Sequence, residues 1–448
     1  VSVWDGSISS SYRSGSGTEE DPYIISNGSE LALLSENLKT TDYANTYFSI
    51  ENDIVLNDGY FLYDDTNKLQ YIKDNVTYYV KDYSNELYDN LNKEGNAISS
   101  INNFTSLNNF KGQIDGNSHT IYGLYIGNGE SKDLSFFTNL EGNISNLYFT
   151  NSVIYGGSNT AGIAATATNA NLNNVLYNGY VINNENETTE SEVINIDDIT
   201  LDSPNKVITP TIPDIKGIVT NITLTGTTNN TTGLTINGNA ITTNDFSLTL
   251  DNYNSLEIVS NDYQNTSITN LKYEITYLSD TSAGLIGNAT DTTLTNVINK
   301  ADVYGNVLTS GLVSKGSNIE ITNSYNHGDI YSSNISTGLV SIIEGTSFLT
   351  NSYNSGGLSS PNNIGLVGNV LNSTLDITNC FNATSSNYLI NNNNNSTINV
   401  NNSYYTEGNT INNGLLTGTF YLTDISNLQN KSLSRRPSGL RKTKPQGN

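Results

Sequence analysis

The sequence predicts an all-β protein built on a right-handed parallel β-helix, a solenoid with rungs of about 27 residues, carrying an inserted small β-sandwich. Three observations predict it. The pair Gly-Leu recurs at a constant interval, an Asn-centred anchor follows each copy, and the composition suits short strands and tight turns. Only 35% of residues are hydrophobic and 14% charged, and the remainder is dominated by Asn, Thr, Ser and Gly. Asn, Ser and Thr compete for backbone hydrogen bonds and disfavour helices, whereas Asn and Gly tolerate left-handed backbone at turns. Low hydrophobicity also invites disorder, but 29 Tyr, 11 Phe and many β-branched runs argue for an ordered chain.

Gly-Leu stands at Gly284-Leu285, Gly311-Leu312, Gly338-Leu339 and Gly365-Leu366, so 311−284, 338−311 and 365−338 are each 27. The anchors are Asn296-Val297, Asn323-Ser324-Tyr325-Asn326, Asn351-Ser352-Tyr353-Asn354 and Asn379-Cys380-Phe381-Asn382. A last copy, Asn402-Ser403-Tyr404-Tyr405, lacks its Gly-Leu, as a terminal capping repeat does. Segments such as Ile319-Glu320-Ile321-Thr322 and Leu375-Asp376-Ile377 alternate at the strand period. A 27-residue unit cannot bury its own apolar face, so it must stack on a neighbour at roughly 4.8 Å per turn. Leu, Ile and Val then form an inner column. The Asn anchors form ladders, with Tyr325, Tyr353 and Phe381 in register beside them.

The N-terminal half carries Phe110-Lys111-Gly112-Gln113-Ile114-Asp115-Gly116-Asn117-Ser118-His119-Thr120-Ile121-Tyr122-Gly123-Leu124, then Asn143-Ile144-Ser145-Asn146-Leu147, Ala161-Gly162-Ile163 and Asn174-Val175. This resembles the GLUG-motif family of bacterial and phage surface proteins, and Gly15 to Ile25 resembles the stretch that opens their β-helices. The resemblance implies a parallel β-helix, a short helix near Ser29–Asn37 with Ser29 as its cap, and display at a surface; it implies little about ligand. Two rungs depart from the pattern: Phe136-Phe137 replaces Gly-Leu, and Ala164-Ala165 follows Gly162-Ile163.

The organisation expected is therefore 1–58 as the N-terminal cap of the β-helix, 59–109 as a Tyr-rich insertion, 110–182 as the first part of the helix, and 183–279 as a linker plus β-sandwich. Residues 280–405 form the second part, 406–434 a C-terminal cap and 435–448 a basic tail. The distance from Gly162 to Gly284 is 122 residues where one rung needs 27, which leaves about 95 for the insertion. Its acidic start, Asn184 to Asp198, reads as a linker. Short strands follow at Ile222–Thr225, Gly233–Asn237, Phe246–Leu250, Leu256–Val259 and Tyr273–Tyr277, with turns at Asn237-Gly238 and Asn261-Asp262. The run Leu224-Thr225-Gly226-Thr227, Ile236-Asn237-Gly238 and Ser255-Leu256-Glu257-Ile258 resembles bacterial Ig-like modules of surface proteins.

The insertion at 59–109 offers Tyr63, Tyr71, Tyr78, Tyr79 and Tyr83 as candidate binding residues, because Tyr combines large contact area, low entropic cost and a polar handle. The competing reading is a local core packed on the solenoid. A formal charge of −24 argues against nucleic acid or an anionic membrane as partner, and no apolar run is long enough to span a bilayer. One Cys, Cys380, permits no internal disulfide or cysteine metal cluster. Met is absent even at position 1, which suggests excision from a longer chain. His119 is expected at a structural turn and His327 in a variable turn slot. Glu320, Glu344, Asp329 and Asp376 stand singly, no nucleophile elbow, phosphate loop or metal spacing occurs, and neither catalytic residues nor a cofactor nor a metal is expected.

The function expected is non-enzymatic binding on a virion (as a phage fibre, decoration or receptor-binding component) or on a prokaryotic cell surface as an adhesin. The partner would be a host glycan or protein, or neighbouring surface subunits, with a homo-trimer the usual state of a phage fibre. The alternative is a carbohydrate-cleaving tailspike on the same scaffold. Arg435, Arg436, Arg441, Lys442 and Lys444 place five of the 19 basic residues in the last 14, either as a solvated tail or as an electrostatic dock for an acidic partner. Deleting Arg435 to Asn448 is expected to abolish incorporation into the parent assembly, scored by co-sedimentation; unchanged incorporation sinks the docking role.

Overall fold

A hydrogen-bond ladder that runs from one turn of chain to the next organises most of this molecule. The computed structural model describes residues 1–81, 84–128, 131–184, 187–394, 396–405, 410–411 and 416–422. Two units result, one made of 1–186 and 280–448, the other of 187–279.

The first unit is a parallel β-solenoid. Eleven successive strands stack in one ladder, beginning Tyr23–Ile25, Tyr47–Ile50, Gln113–Tyr122, Asn143–Gly156 and Asn171–Asn183. It continues through Thr293–Asn299, Glu320–Thr322, Thr346–Thr350, Thr374–Thr378 and Thr397–Tyr405 to Leu416–Leu422. A second parallel sheet stacks Phe137–Leu140, Ala164–Thr168, Ile286–Thr290, Val313–Ser317 and Val340–Glu344. Asn171 pairs with Thr293 and Leu172 with Leu294, so the ladder resumes in register across a sequence gap of 122. One continuous core fills the interior, with Leu285, Leu312, Leu339 and Leu366 all inaccessible.

The Asn content has two separate uses. At one corner Asn146, Asn174, Asn296, Asn323, Asn351, Asn379 and Asn402 each adopt φ between 48° and 57°, the left-handed region that Asn tolerates best after Gly. Several of their amides link rung to rung, from Asn174 Nδ2 to Asn146 Oδ1 (2.8 Å), from Asn351 to Asn323 (3.1 Å) and from Asn379 to Asn351 (3.0 Å). The second use is interior. Asn299, Asn326, Asn354 and Asn382 are 0% exposed and form a continuous column. Nδ2 of each of the first three donates to Oδ1 of the next at 2.8, 2.8 and 2.9 Å. All four also donate to the carbonyl two residues ahead. Tyr325, Tyr353 and Phe381 stack as the repeat implies, with centroids 4.8 and 4.6 Å apart and planes within 6°.

The helix spans Gly28–Asn37, and its N-cap is Asn27 rather than Ser29. Asn27 Oδ1 accepts from Glu30 N, while Glu30 Oε2 accepts from Ser26 N, a reciprocal cap. Ser29 lies in the first turn and bonds Ser7 instead. His119, expected at a turn, lies instead within the strand Gln113–Tyr122 and pairs with Leu147, just after the left-handed Asn117 and Ser118. It is 3.2 Å from Asp53, whose Oδ1 also accepts from Thr120 N.

The second unit is a two-sheet antiparallel sandwich. One sheet orders Thr189–Asn195, Ser267–Leu278, Ile218–Thr228 and Asp245–Thr249; the other orders Asn205–Ile208, Leu256–Val259, Thr235–Ile236 and Asn239–Ala240. Leu224, Ile236, Leu256, Ile258, Ile268, Tyr273 and Ile275 are inaccessible in its core. The Asn237-Gly238 turn has φ of 47° and 76°, as a two-residue hairpin requires. The acidic segment expected as a linker is in part a strand: Thr189–Asn195 pairs with Ser267–Leu278. Glu190 is the reason in part, since it accepts from Tyr277 on that neighbour and from Ser279 just past its end.

Replacing Asn354 by Ala orphans buried groups on three sides. We expect a loss of about 2–4 kcal/mol, at roughly 1–3 per buried group left unpaired, read from the denaturant midpoint. Gly338→Ala is expected to cost at least as much, because its Cβ would lie 2.1 Å from Gly365 O.

Candidate binding surfaces

The Tyr-rich insertion folds as an antiparallel meander of Tyr60–Asp64, Lys68–Lys73, Val76–Val80, Glu86–Asp89 and Ser99–Ser100. Asp74 and Asn75, at φ 52° and 59°, make the tight turn between its second and third strands. Side chains alternate across it. Phe61, Tyr63, Leu69, Tyr71, Val80 and Leu87 turn inward and share a core with Tyr125, Val153, Tyr155 and Ile182 of the solenoid. Phe61 stacks on Tyr125 at 5.6 Å. The ends are clamped together: Asn57 Oδ1 accepts from Asn102 N at 2.8 Å, and Asn57 Nδ2 donates to Asn102 O at 2.9 Å. Asn151, at a solenoid corner, bonds Phe61 N and Gly59 O.

The four described candidate tyrosines, Tyr63, Tyr71, Tyr78 and Tyr79, do not share one face. Tyr63 and Tyr71 are only 5% and 4% exposed and contribute to the local core, as the competing reading has it; strand parity turns them toward the solenoid. Tyr78, paired with Tyr71 on the same face, is half-buried. Tyr79 lies half-buried on the opposite face, in the row Leu62–Gln70–Tyr79–Tyr88 of which Gln70 and Tyr88 are buried, with the Lys93 ammonium 4.5 Å from its ring centre. Tyr83 and the basic residues Arg435, Arg436, Arg441, Lys442 and Lys444 lie outside the described residues. Tyr60, Leu62 and Val76 are the exposed large apolar residues of these strands, and Tyr60 is one that composition alone did not single out.

A cleft of about 350 Å³ opens where the meander meets the N-terminal segment, lined by Trp4, Asp58, Tyr71, Lys73, Asp74 and Tyr78 among others. Lys73 Nζ lies 2.8 Å from Asp58 Oδ1 and holds that carboxyl below its ordinary range. Both partners are well exposed, so the pair contributes less than about 1 kcal/mol. Burial pushes the Tyr71 hydroxyl up to about 12, Asp58 adding to the rise. That hydroxyl accepts from Gly59 N at 2.7 Å, and the Tyr71 ring occupies the space a Cβ on Gly59 would need.

A second surface lies on the solenoid flank. Tyr304 and Tyr331, on adjacent rungs, stack at 4.5 Å and 9°, and Tyr63 meets Tyr304 edge-on at 4.6 Å. Asp329 does not stand alone as expected, for Asp302 precedes it by one rung. Asp302 Oδ1 accepts from Asp329 N at 2.9 Å, and Asp329 Oδ1 from Gly357 N at 2.8 Å. Burial raises the Asp302 carboxyl and the Asp329 charge raises it further, against the Asp329 N–H bond. Burial also raises the Tyr304 hydroxyl, with Tyr331 and Asp302 adding to it. The signal was present in the sequence, since 329−302 and 331−304 both equal the repeat of 27. Among the described residues, no group of three or more His, Cys, Asp or Glu is placed to hold a metal. Cys380 is buried within the Ser324–Ser352–Ser403 column, and burial pushes its thiol up to about 12.

No protein family matches the chain, and neither does any curated protein. Among solved structures, the chain is similar to a Bacteroides ovatus crystal structure provisionally named an immunoglobulin A1 protease. The likeness covers 94% of this chain and 89% of that one, at 14% identity and a TM-score of 0.36.

A carboxyl raised in the folded state favours folding below its unfolded value, near 3.9, and loses that contribution as pH rises through the folded value. Asp302→Asn keeps an acceptor for Asp329 N and removes the charge. The variant is therefore expected to unfold at a higher denaturant concentration than the parent at pH 7 and at the same concentration at pH 3.

Proposed function

We propose that this chain is a displayed, non-enzymatic binding protein, carried on a virion or a prokaryotic cell surface, and that its meander is the contact with a host glycan or protein. One observation carries the reading. The meander's inner face is fixed to the solenoid by Phe61, Tyr63 and Tyr71, while Tyr60 and Leu62 remain 49% and 41% exposed on the other face, which carries Tyr79 two strands away. Rigid aromatic groups held by a scaffold lose little entropy on binding. The acidic balance supports an uncharged or basic partner rather than nucleic acid.

A second reading has one observation in its favour. Asp302 and Asp329 sit one rung apart, about 4.8 Å along the ladder, close to the 5–5.5 Å carboxyl separation of retaining glycosidases. Against it, each carboxylate is bonded to the backbone N–H of the following rung. Hydrolysis of a host glycan that disappears in Asp329→Asn would favour this reading.

For the binding reading, a Tyr60→Ala/Tyr79→Ala double variant is expected to lose tenfold or more in affinity for cells that the parent protein binds, about 1.4 kcal/mol or more. Its thermal midpoint should match the parent's. Unaltered cell binding, measured by flow cytometry of labelled protein, refutes the meander as the contact.

A further inference from the structure

The two aromatic columns on the solenoid end differently. Tyr325, Tyr353 and Phe381 fill three successive rungs without a gap. In the other column Tyr63 covers Tyr304, and Tyr304 covers Tyr331. The register then places Ser359 beside Tyr331, and Ser359 is exposed. One rung rises roughly 4.8 Å, close to the 4.5 Å that separates the stacked rings above. A serine where the column calls for a ring leaves a space one ring high. Among the described residues, Tyr331 stacks on no ring other than Tyr304.

The chemistry around that space is defined. Asp329 is exposed beside it and receives Gly357 N on one oxygen, which leaves a carboxylate able to accept further donors. Asp302, Asp329 and Asp65 all act electrostatically on the Tyr331 hydroxyl, so the locality is acidic. An aromatic face is electron-rich and attracts groups with partial positive charge. The C–H face of a pyranose ring is such a group, and its hydroxyls are donors for a carboxylate. A negatively charged sugar would meet three carboxylates in a protein of net charge −24.

We propose that the space between Tyr331 and Ser359 is a subsite for one hexopyranose ring of a neutral glycan. The ring continues the Tyr63–Tyr304–Tyr331 column, Asp329 accepts from its hydroxyls, and Ser359 supplies a second polar contact. No bond is broken in this event. The subsite lies on residues separate from Tyr60 and Tyr79, so it does not depend on the meander being the host contact.

The test is affinity electrophoresis of the full chain in gels containing galactomannan, mixed-linkage β-glucan or polygalacturonate. Retardation is expected in at least one neutral polymer and not in polygalacturonate. Tyr331→Ala removes the platform, and Ser359→Tyr fills the space with the protein's own ring; both are expected to weaken retention tenfold or more. Ser359→Tyr should keep the parent's thermal midpoint because it extends an existing stack, which guards against misfolding of Tyr331→Ala. Tyr353→Ala, in the other column, should be retained like the parent. Migration unaffected by both neutral polymers, retention undiminished in Ser359→Tyr, or stronger retention in polygalacturonate each overturns the proposal. Retention lost only in Tyr60→Ala/Tyr79→Ala overturns it in favour of the meander.

Discussion

The buried amide column and the glycines facing it are one contact, and the rung architecture depends on it. Asn299, Asn326, Asn354 and Asn382 sit where a polar group is tolerated only if its hydrogen bonds are made. Each satisfies them with a rung neighbour and with its own chain two residues ahead. A column of this kind allows no slip, because a shift of one residue would leave several buried donors unpaired. Its room comes from Gly284, Gly311, Gly338 and Gly365. A Cβ on any of the first three would lie 2.1–2.2 Å from the next glycine's carbonyl, and on any of the four within 2.7 Å of the facing Asn side chain. The facing residues are separated by 15, 15, 16 and 17 positions (299−284, 326−311, 354−338, 382−365), so the extra residues of later rungs fall outside this contact.

Where the amide column stops, rings replace it. Gly162 faces Tyr177, again 15 positions on, with Tyr177 Cδ1 2.7 Å from where a Cβ would be. Phe149 lies 6.0 Å from Tyr177 on the preceding rung, and Phe136 and Phe137 occupy the Gly-Leu place. The N-terminal rungs are therefore filled by shape and the C-terminal rungs by hydrogen bonds. A parallel ladder needs only local register, so a long excursion costs little more than a short one once the ends are held. Asn57 and Asn102 hold the ends of the first excursion. The second leaves after Asn183 and the ladder resumes at Thr281.

The solenoid was legible because its signals are periodic and backbone-driven: glycines at fixed intervals, Asn in left-handed corners, alternation within strands. The sandwich strands were legible from turn chemistry such as Asn237-Gly238. The strand Thr189–Asn195 was not, since Glu190 and Glu192 resemble a solvated linker until Tyr277 and Ser279 are placed opposite. The Asn of the anchors also concealed two roles, one corner and one interior, that composition cannot separate. For the candidate site, the tyrosine-rich segment was legible but the division between Tyr63 and Tyr71 inward and Tyr60 and Tyr79 outward was not. That division follows from strand phase, which is fixed by the Asp74-Asn75 turn and the Asn151 contact, neither of which carries a distinctive sequence signal.

Periodicity also explains why the flank surface escapes a search for irregular features. Asp302, Asp329, Tyr304 and Tyr331 obey the 27-residue interval and so read as scaffold. Yet a repeating column consumes its own binding capacity, since each ring covers the next and each carboxylate takes the N–H of the rung that follows. Capacity survives only where the column terminates. Tyr325 and Tyr353 have rings on the following rung and offer no free face in that direction, whereas the column at Tyr331 ends on Ser359. On a solenoid of this kind, recognition chemistry is to be sought less in unusual residues than in the rung at which a regular ladder fails to continue.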